Sequence, residues 1–377
     1  TEYTHYGIDY YPYGKNYTFI NEAAVLTVLA TAPSAGSFRP GLCDLDRTIY
    51  NEADIDYSLL ANLEPVSGTP DLTTIEDMVA RPWLDFVPGW VGRQIHPNNN
   101  MKDYGGELSV DLATIALILN SNYTNEQKAP IARGFLQIGI DLWTNAERNP
   151  SRYDMDVAHN VGRKLPIIVT GELLDIAEIK AIWPKTGTYV NENWGTYPSD
   201  AYLFSEDMAI TYVREGDISA TESGTSAYSP DVDYDSSLIG MPEWFHYNYQ
   251  YRYRSTVNWA ADNYRLCCYS GTLEGDAIVL YAMGLTEKWN NKAFFDYMDR
   301  WVSIADGEAD PFGYVVPGET SGYRGSWQSD GAWMSSMWDA YRDNYSFTQT
   351  EETCSDGIQN QDETGIDCGG SCSTCAL

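Results

Sequence analysis

The chain has 377 residues, of which 43% are hydrophobic, and a formal net charge of -31 from 23 Lys and Arg against 54 Asp and Glu. This hydrophobic content suffices for a full core and argues against a disordered chain, and the length fits one large domain or two ordinary ones. The charge argues against nucleic acid and anionic membranes as partners, because no excess of cations is present to neutralise phosphates.

Apolar residues recur at helical spacing along most of the chain, and period-two runs are scarce. We expect helices over roughly residues 20 to 31, 72 to 80, 162 to 182, 272 to 284 and 329 to 342. Three further apolar stripes repeat every three or four residues, over 112–119, 131–142 and 294–301. The pattern predicts a mainly α fold, an (α/α) toroid of antiparallel helical hairpins with long loops forming a cleft. A globular helical bundle is the alternative.

The last stretch, 351–377, differs in composition from the catalytic domain that we expect over 1–350. It has no apolar stripe and contains four cysteines, Cys354, Cys368, Cys372 and Cys375. Two disulfides in this module would indicate a secreted or periplasmic protein. Its acidic residues are suited to a structural Ca²⁺, and the alternative is a disulfide-tied linker or sorting tag.

The remaining cysteines are Cys43, Cys267 and Cys268. The adjacent pair lacks the spacing of a redox motif, so we expect either a structural bond to Cys43 or a buried thiol. No apolar run reaches the roughly 18 residues that a membrane span needs. The sequence starts at Thr1 without a basic and apolar leader, and we expect any signal peptide to have been removed.

Histidine is scarce, with only four in the chain, so an imidazole has few places to act. One of them, His159, is followed closely by Asn160, Arg163 and Lys164 and then by a helix-like apolar run. This gathering of polar groups at a helix start predicts a functional site. The alternative is a histidine that only supports the fold.

The stretch FHYNYQYRYRSTVNWAADNYRLCC is the one strongly basic and aromatic segment of this acidic chain. Arginine binds carboxylates in a bidentate manner, and a phenol beside a cation can transfer protons. We single out Tyr251, Arg254, Trp259 and Tyr264. A packed tyrosine face whose arginines satisfy helix ends is the alternative.

Two more segments supply polar candidates. The loop RPWLDFVPGWVGRQIHPNNNMKDYGGELS contains Trp90, His96, Asn100 and Tyr104, and suits a loop over a cleft in which an asparagine binds a carboxylate and a tryptophan stacks on a sugar. The segment YLFSEDMAITYV contains Glu206 and Asp207, a pair that raises the question of glycoside hydrolysis. Adjacent residues point in different directions, which argues against that geometry.

These same stretches resemble polysaccharide lyase family 38, a group of bacterial enzymes that cleave uronates. The similar pieces include HNVGRKLPI, FSEDMAITYV and NYRLCCYSGTLEGDAIVLYAMGL, and they run in order from about residue 81 to 303. The resemblance implies an α/α toroid that acts on alginate-like or glucuronan-like chains. The β-elimination that we predict requires no cofactor. It implies four catalytic residues, Asn100, His159, Arg254 and Tyr264. The tail resembles Cys-rich modules that follow secreted catalytic domains.

The predicted reaction is β-elimination. Asn100, with Arg254 or His159, would neutralise the uronate carboxylate, while His159 acts as base and Tyr264 as acid, or Tyr264 as both. Further substrate contacts are expected at Trp90, His96, Tyr104, Asn160, Arg163, Glu206, Tyr251 and Trp259. We expect a cationic groove that attracts the anionic polysaccharide, lined by Arg163, Lys164, Arg252, Arg254 and Arg265. We expect the protein to be a monomer. The alternatives are a hydrolase using Glu206 or Asp207 as acid, and a non-catalytic polysaccharide-binding protein.

Overall fold

The computed structural model describes residues 20–87, 89, 92–187, 200–213, 236–244, 265–313, 324 and 331–346. The chain divides into two compact units, Thr1–Tyr345 and Ser346–Leu377. Only Ser346 of the small unit is among the described residues, so the predicted disulfides and Ca²⁺ site of the tail lie outside them.

The described part of the large unit is mainly helical, as predicted. Its α-helices are α1 (Leu72–Val79), α2 (Gly105–Leu119), α3 (Asn125–Arg148), α4 (Lys164–Leu173), α5 (Ala177–Lys180), α6 (Ser205–Ala209), α7 (Glu274–Ala282), α8 (Thr286–Trp289), α9 (Lys292–Ala305) and α10 (Gly331–Tyr341). The predicted helices near 72–80, 272–284 and 329–342, and the three stripes in α2, α3 and α9, are confirmed.

Helix α2 is the central element of this unit. Every residue from Gly105 to Leu119 except Glu107 is buried. A helix that is apolar nearly all round must be covered on all sides, and α2 packs against α3, α4 and α7. Residues at the start of α2 therefore lie deep inside the fold, next to whatever elements cover it there.

Helix α3 follows α2 after the short connection 120–124 and packs against α1, α2 and α4. It begins at a reciprocal capping box, in which the Thr124 side chain accepts from the Gln127 backbone and the Gln127 side chain accepts from the Thr124 backbone. Such a box satisfies backbone donors that a helix start leaves unpaired. The cap fixes where this 24-residue helix starts.

The described strands form one small antiparallel sheet, β1 (Ile210–Tyr212) with β2 (Pro242–Trp244). Ile210 is paired with Trp244, and Thr211 is paired with Glu243. Both strands pack against α9. The sheet thus fixes the segment that continues α6, whose Ser205–Ala209 turn carries the acidic pair of the sequence.

Two helix predictions need correction. Residues 20–31 form no helix, and their side chains alternate between half-buried and exposed, with Leu26 89% and Val28 79% exposed. Alternation of period two is that of an extended chain, which the β-branched residues of AAVLTVL favour. The helix expected over 162–182 is divided into α4 and α5, because Asp175 adopts a left-handed conformation with φ of 51°.

Of the two alternatives for the cysteine pair, a bond to Cys43 is wrong, and a free buried thiol is wrong for Cys268. Cys43 carries a free thiol, which donates a hydrogen bond to Asn145 Oδ1 over 3.6 Å. Cys268, in contrast, is disulfide-bonded.

Among the described residues, no helix combines the length and the apolar character that crossing a membrane requires.

Candidate functional site

Two consecutive glycines at the start of α2 bring distant segments together. A methyl group on Gly105 would lie 2.2 Å from the carbonyl oxygens of Ala158 and His159. A methyl group on Gly106 would lie 2.5 Å from the carbonyl oxygen of Cys268. Only residues without a Cβ allow the backbones to approach so closely. The His159 turn and the segment Arg265–Tyr269 therefore flank the same two residues of α2.

His159 lies in a tight turn, in which its backbone N–H donates to the Asp156 carbonyl over 2.9 Å. The preceding Val157 has a positive φ of 51°, a costly conformation for a β-branched residue. The imidazole is 7% exposed. Its Nδ1 lies 3.4 Å from Asp156 Oδ2, and its ring meets the Tyr104 ring edge to face, with centroids 5.4 Å apart.

Tyr104 immediately precedes α2, and its extended backbone, with φ of -106° and ψ of 137°, directs the chain into the helix. Its side chain is only half-buried. The structure thus brings together two residues predicted for the site, a phenol and an imidazole, at the positive end of a 15-residue helix dipole. A phenol and an imidazole are both side chains that can transfer protons.

Asn160 ties the loop over residues 81–100 to the His159 turn. Its Oδ1 accepts from Gly89 N and its Nδ2 donates to the Asp154 carbonyl, both over 2.8 Å. A Cβ on Gly89, which has φ of 83°, would lie 2.8 Å from Asp156 Oδ2. Asn160 was predicted to contact substrate, whereas here it is a buried support that holds the loop against the turn.

Arg163 and His96 form a buried network with Asp85. Arg163 is 1% exposed, and its Nε donates to Asp85 Oδ2 over 2.7 Å, while His96 Nε2 lies 3.6 Å from Asp85 Oδ1. Burial opposes ionisation of Asp85, yet the adjacent Arg163 guanidinium holds the pKa of this carboxyl below the usual range. Arg163 and His96 are thus buried in this conformation, and their contact with substrate stays a prediction.

Lys164 is also withdrawn from any groove. It is fully buried, its Nζ donates to both oxygens of Asp207 over 2.8 Å and to the Trp289 carbonyl, and it lies 4.4 Å from the centroid of the Trp289 ring. Burial lowers the pKa of this amine, while Asp207 opposes the shift. Arg265 is likewise fully buried and pairs with Glu243 over 2.8 Å. The predicted cationic groove is wrong for these residues.

Glu206 is also enclosed by the fold. It is 0% exposed, and its Oε1 accepts from the Gly162 backbone N–H over 2.5 Å. Burial, aided by the charge of Asp207, raises the pKa of Glu206 to about 7. In this conformation the carboxyl group supports the backbone three residues after His159, and its contact with substrate stays a prediction.

Asn100 is attached to the end of α1 rather than to the His159 turn. Its amide group donates to the carbonyls of Met78 over 3.3 Å and Arg81 over 3.1 Å. Both amide hydrogens are thus engaged, and the side-chain oxygen is buried without a hydrogen-bond partner. In this conformation the amide cannot also donate to a substrate carboxylate.

The other predicted residues, Trp90, Tyr251, Arg254, Trp259 and Tyr264, lie outside the described residues. Among the residues that the structure describes, no group of three His, Cys, Asp or Glu side chains is arranged to hold a metal ion.

Sequence reasoning missed Asp85, Asp156 and the two glycines. The dipeptide Gly105-Gly106 directly before a strongly apolar helix was a usable signal, because glycine at a helix start often marks a close approach of backbones. The sequence around Asp85 and Asp156 contains no comparable motif that would have indicated their contacts.

A comparison of the chain with protein-family models, curated proteins and solved structures found no match in any of the three.

Replacement of Gly105 by alanine should displace the His159 turn. Its new Cβ would meet two backbone carbonyls at 2.2 Å, neither of which can rotate away. We expect a loss of about 1–3 kcal/mol in the free energy of unfolding, measured by denaturant titration. Gly271→Ala is the control, because a Cβ there would meet its nearest atom at 3.4 Å. Equal stability of both variants would show that the close approach does not exist.

Proposed function

We propose that the protein is a secreted polysaccharide lyase that cleaves a uronic-acid-containing polysaccharide, alginate or glucuronan, by β-elimination. The observation that supports this most is the Tyr104–His159 pair at the start of α2, with ring centroids 5.4 Å apart. The close approach of Gly106 to Cys268 adds the end of the basic, aromatic stretch to the same place.

In the proposed reaction, a base removes the C5 proton of the uronate and an acid protonates the leaving O4. His159 Nδ1 lies 3.4 Å from Asp156 Oδ2, so we assign the other ring nitrogen, Nε2, to the C5 proton. Both nitrogens are buried in this conformation, so we also propose that the His159 turn opens when substrate binds. The adjacent Tyr104 phenol is placed to protonate O4, and Tyr264 is the other candidate for that proton.

The enolate-like intermediate needs positive charge near the uronate carboxylate. Three cations of the predicted groove, Arg163, Lys164 and Arg265, are buried in ion pairs. We therefore assign the binding of the uronate carboxylate to Arg254, together with the positive end of α2. A few cations suffice in a chain of charge -31, because salt screens the more distant carboxylates beyond about 10 Å.

We further propose that the helices continue into an (α/α) toroid whose loops form the cleft, that residues 351–377 are a separate Cys-rich module, and that the protein is exported. Support for the toroid comes from α2 and α3, which pack against each other and are joined by a short connection, as in a helical hairpin. Support for export comes from the four cysteines of the tail.

The structure does not favour the hydrolase alternative, for which Glu206 or Asp207 was the predicted acid. Glu206 and Asp207 are both buried, and Asp207 is paired with Lys164, whereas a glycosidase needs two carboxyl groups on either side of an accessible bond.

The test is an incubation of the full chain with alginate, glucuronan and neutral glycans. We expect ultraviolet absorbance to rise with a uronate polymer, because β-elimination leaves a conjugated double bond at the new end. New reducing ends without absorbance would instead establish a hydrolase, and binding without products would establish a binding protein. Either outcome overturns the proposed reaction.

A further inference from the structure

The guanidinium group of Arg163 contacts three separate segments of the chain. Its Nε and Nη2 donate to the two carboxylate oxygens of Asp85, over 2.7 and 3.3 Å. Its Nη1 donates to the Val161 carbonyl over 2.6 Å and, over a longer 3.5 Å, to the Gly105 carbonyl. One side chain thus joins the loop that carries Asp85, the first residue of α2 and the end of the His159 turn.

The two carbonyl groups that Arg163 binds lie next to the candidate pair of proton-transferring residues. Gly105 directly follows Tyr104, and Val161 lies two residues after His159. The start of α2 and the turn approach each other so closely that a Cβ on Gly105 would lie 2.2 Å from two carbonyl oxygens of the turn. Buried carbonyl oxygens need hydrogen-bond donors, and Arg163 supplies donors where these two segments meet.

Asp85 determines the direction of the guanidinium group. A bidentate pair of planar groups fixes both distance and orientation, and the two residues are only 6% and 1% exposed. The backbone of Asp85 is held in turn, because its carbonyl accepts from the Tyr153 hydroxyl over 3.2 Å. That hydroxyl accepts from Asn145 of α3 over 2.9 Å. A continuous series of contacts therefore runs from α3 through Asp85 to Arg163.

We propose that Arg163, oriented by Asp85, is a positioning residue that holds the His159 turn against the start of α2 and thereby sets the separation of the Tyr104 and His159 rings. Arg163 transfers no proton itself. It holds the turn at Val161, beyond His159, so the opening that substrate requires leaves this contact in place. The effect on turnover rests on the proposed function, whereas the separation of the rings can be measured without it.

Arginine is the residue type that can make this set of contacts. Its planar group presents donors in fixed directions, whereas a lysine ammonium is a single charge on a flexible stem. Arg163→Lys therefore keeps a cation beside Asp85 but loses the simultaneous bonds to the two carbonyls. Asp85→Asn keeps the shape of the partner but removes its charge and one of its acceptor oxygens, so the guanidinium group loses its fixed orientation.

The first measurement is the NMR signal of the His159 imidazole in the full chain, with histidine selectively labelled with ¹³C. The chain has four histidines, and the His159 signal is the one that His159→Gln removes. The Tyr104 ring, whose centroid lies 5.4 Å away, shifts this signal through its ring current. Tyr104→Leu gives the position of the signal without that ring. We expect Arg163→Lys and Asp85→Asn to move the signal toward this position.

Arg342→Lys is the matched control. Arg342 also binds one aspartate through Nε and Nη2, Asp299 over 2.7 and 2.6 Å, and a carbonyl through Nη1, that of Tyr345 over 2.6 Å. These partners belong to α9 and to the segment after α10, not to α2 or the His159 turn. We expect both lysine variants to lower the thermal unfolding midpoint, and only Arg163→Lys to move the His159 signal.

Turnover of the uronate polymer is the second measurement. Arg163→Lys should lower kcat by about 10²-fold, the effect of misplacing reacting groups by about 1 Å. KM should change little, because a positioning residue does not bind substrate. Arg342→Lys should leave kcat unchanged.

An unchanged His159 signal in Arg163→Lys and Asp85→Asn would overturn the proposal, as would a signal that Tyr104→Leu leaves in place. If Arg163→Lys does not fold, Asp85→Asn alone decides. A raised KM with an unchanged signal would make Arg163 a substrate contact and would also overturn the positioning role. A shifted signal in a chain that cleaves no polysaccharide would retain that role and reject the proposed function alone.

Discussion

His159→Gln should lower the turnover of the uronate polymer by about 10²–10⁴-fold, the usual contribution of a general acid or base. Glutamine retains hydrogen-bonding groups of similar reach but has no nitrogen that accepts a proton near neutral pH. Tyr104→Phe should cause a loss in the same range, since it removes only the phenolic hydroxyl from a ring that packs against His159. Both are measured as kcat from the rise of ultraviolet absorbance.

Tyr57→Phe is the matched control, because this tyrosine lies in the single turn Tyr57–Leu59, where its neighbours are Glu52 and Arg133 rather than the site. It should leave kcat unchanged. Tyr264→Phe distinguishes the two candidate proton donors. If Tyr264→Phe is inactive and Tyr104→Phe retains full turnover, the assignment of Tyr104 as the acid is wrong. If His159→Gln retains full turnover, the proposed mechanism is wrong.

Lys164→Met should destabilise the fold by about 3–5 kcal/mol, the cost of leaving a buried partner charge uncompensated. The reason is the position of Asp207, which is 1% exposed and accepts from the lysine amine with both of its carboxylate oxygens. Methionine fills a similar volume, so the loss reports charge rather than packing. Denaturant titration gives the free energy of unfolding.

Two variants check the origin of that loss. Lys164→Met combined with Asp207→Asn should recover much of the stability, because the asparagine is neutral and its side-chain oxygen can still accept from the Gly187 N–H. Lys185→Met should cost less than about 1 kcal/mol, since its ion pair with Asp200 is exposed and screened. A Lys164→Met variant as stable as Lys185→Met would contradict the buried pair.

The sequence was sufficient to locate most helices of the core. The stripes in α2, α3 and α9 are long and strongly periodic, and such segments are the most reliable to assign. It failed over 20–31, where a short apolar run fits a helix and a strand equally well, and only the β-branched residues favoured the extended form. The break at Asp175 depends on a left-handed residue, which a pattern of apolar positions does not show.

The charged motif after His159 was the main misinterpretation. Arg163 and Lys164 suggested an anion site, yet each is bound to a carboxylate far along the chain, Asp85 and Asp207 respectively. Local spacing identifies which charges are close in sequence, whereas partners chosen by folding are separated by 78 and 43 residues. The Tyr104–His159 contact joins two stretches that were singled out independently, and the role of both residues in a site stays a prediction.

The glycine pair also bears on how related chains can be recognised. Proton-transferring side chains can be exchanged or moved to another loop as an enzyme family diverges, and their types alone are a poor guide to kinship. Two adjacent positions at which any side chain would collide with main-chain oxygens leave far less freedom. We therefore expect chains that share this packing to have a Tyr-Gly-Gly-Glu tetrapeptide at the start of a buried helix and a His-Asn turn roughly fifty residues later.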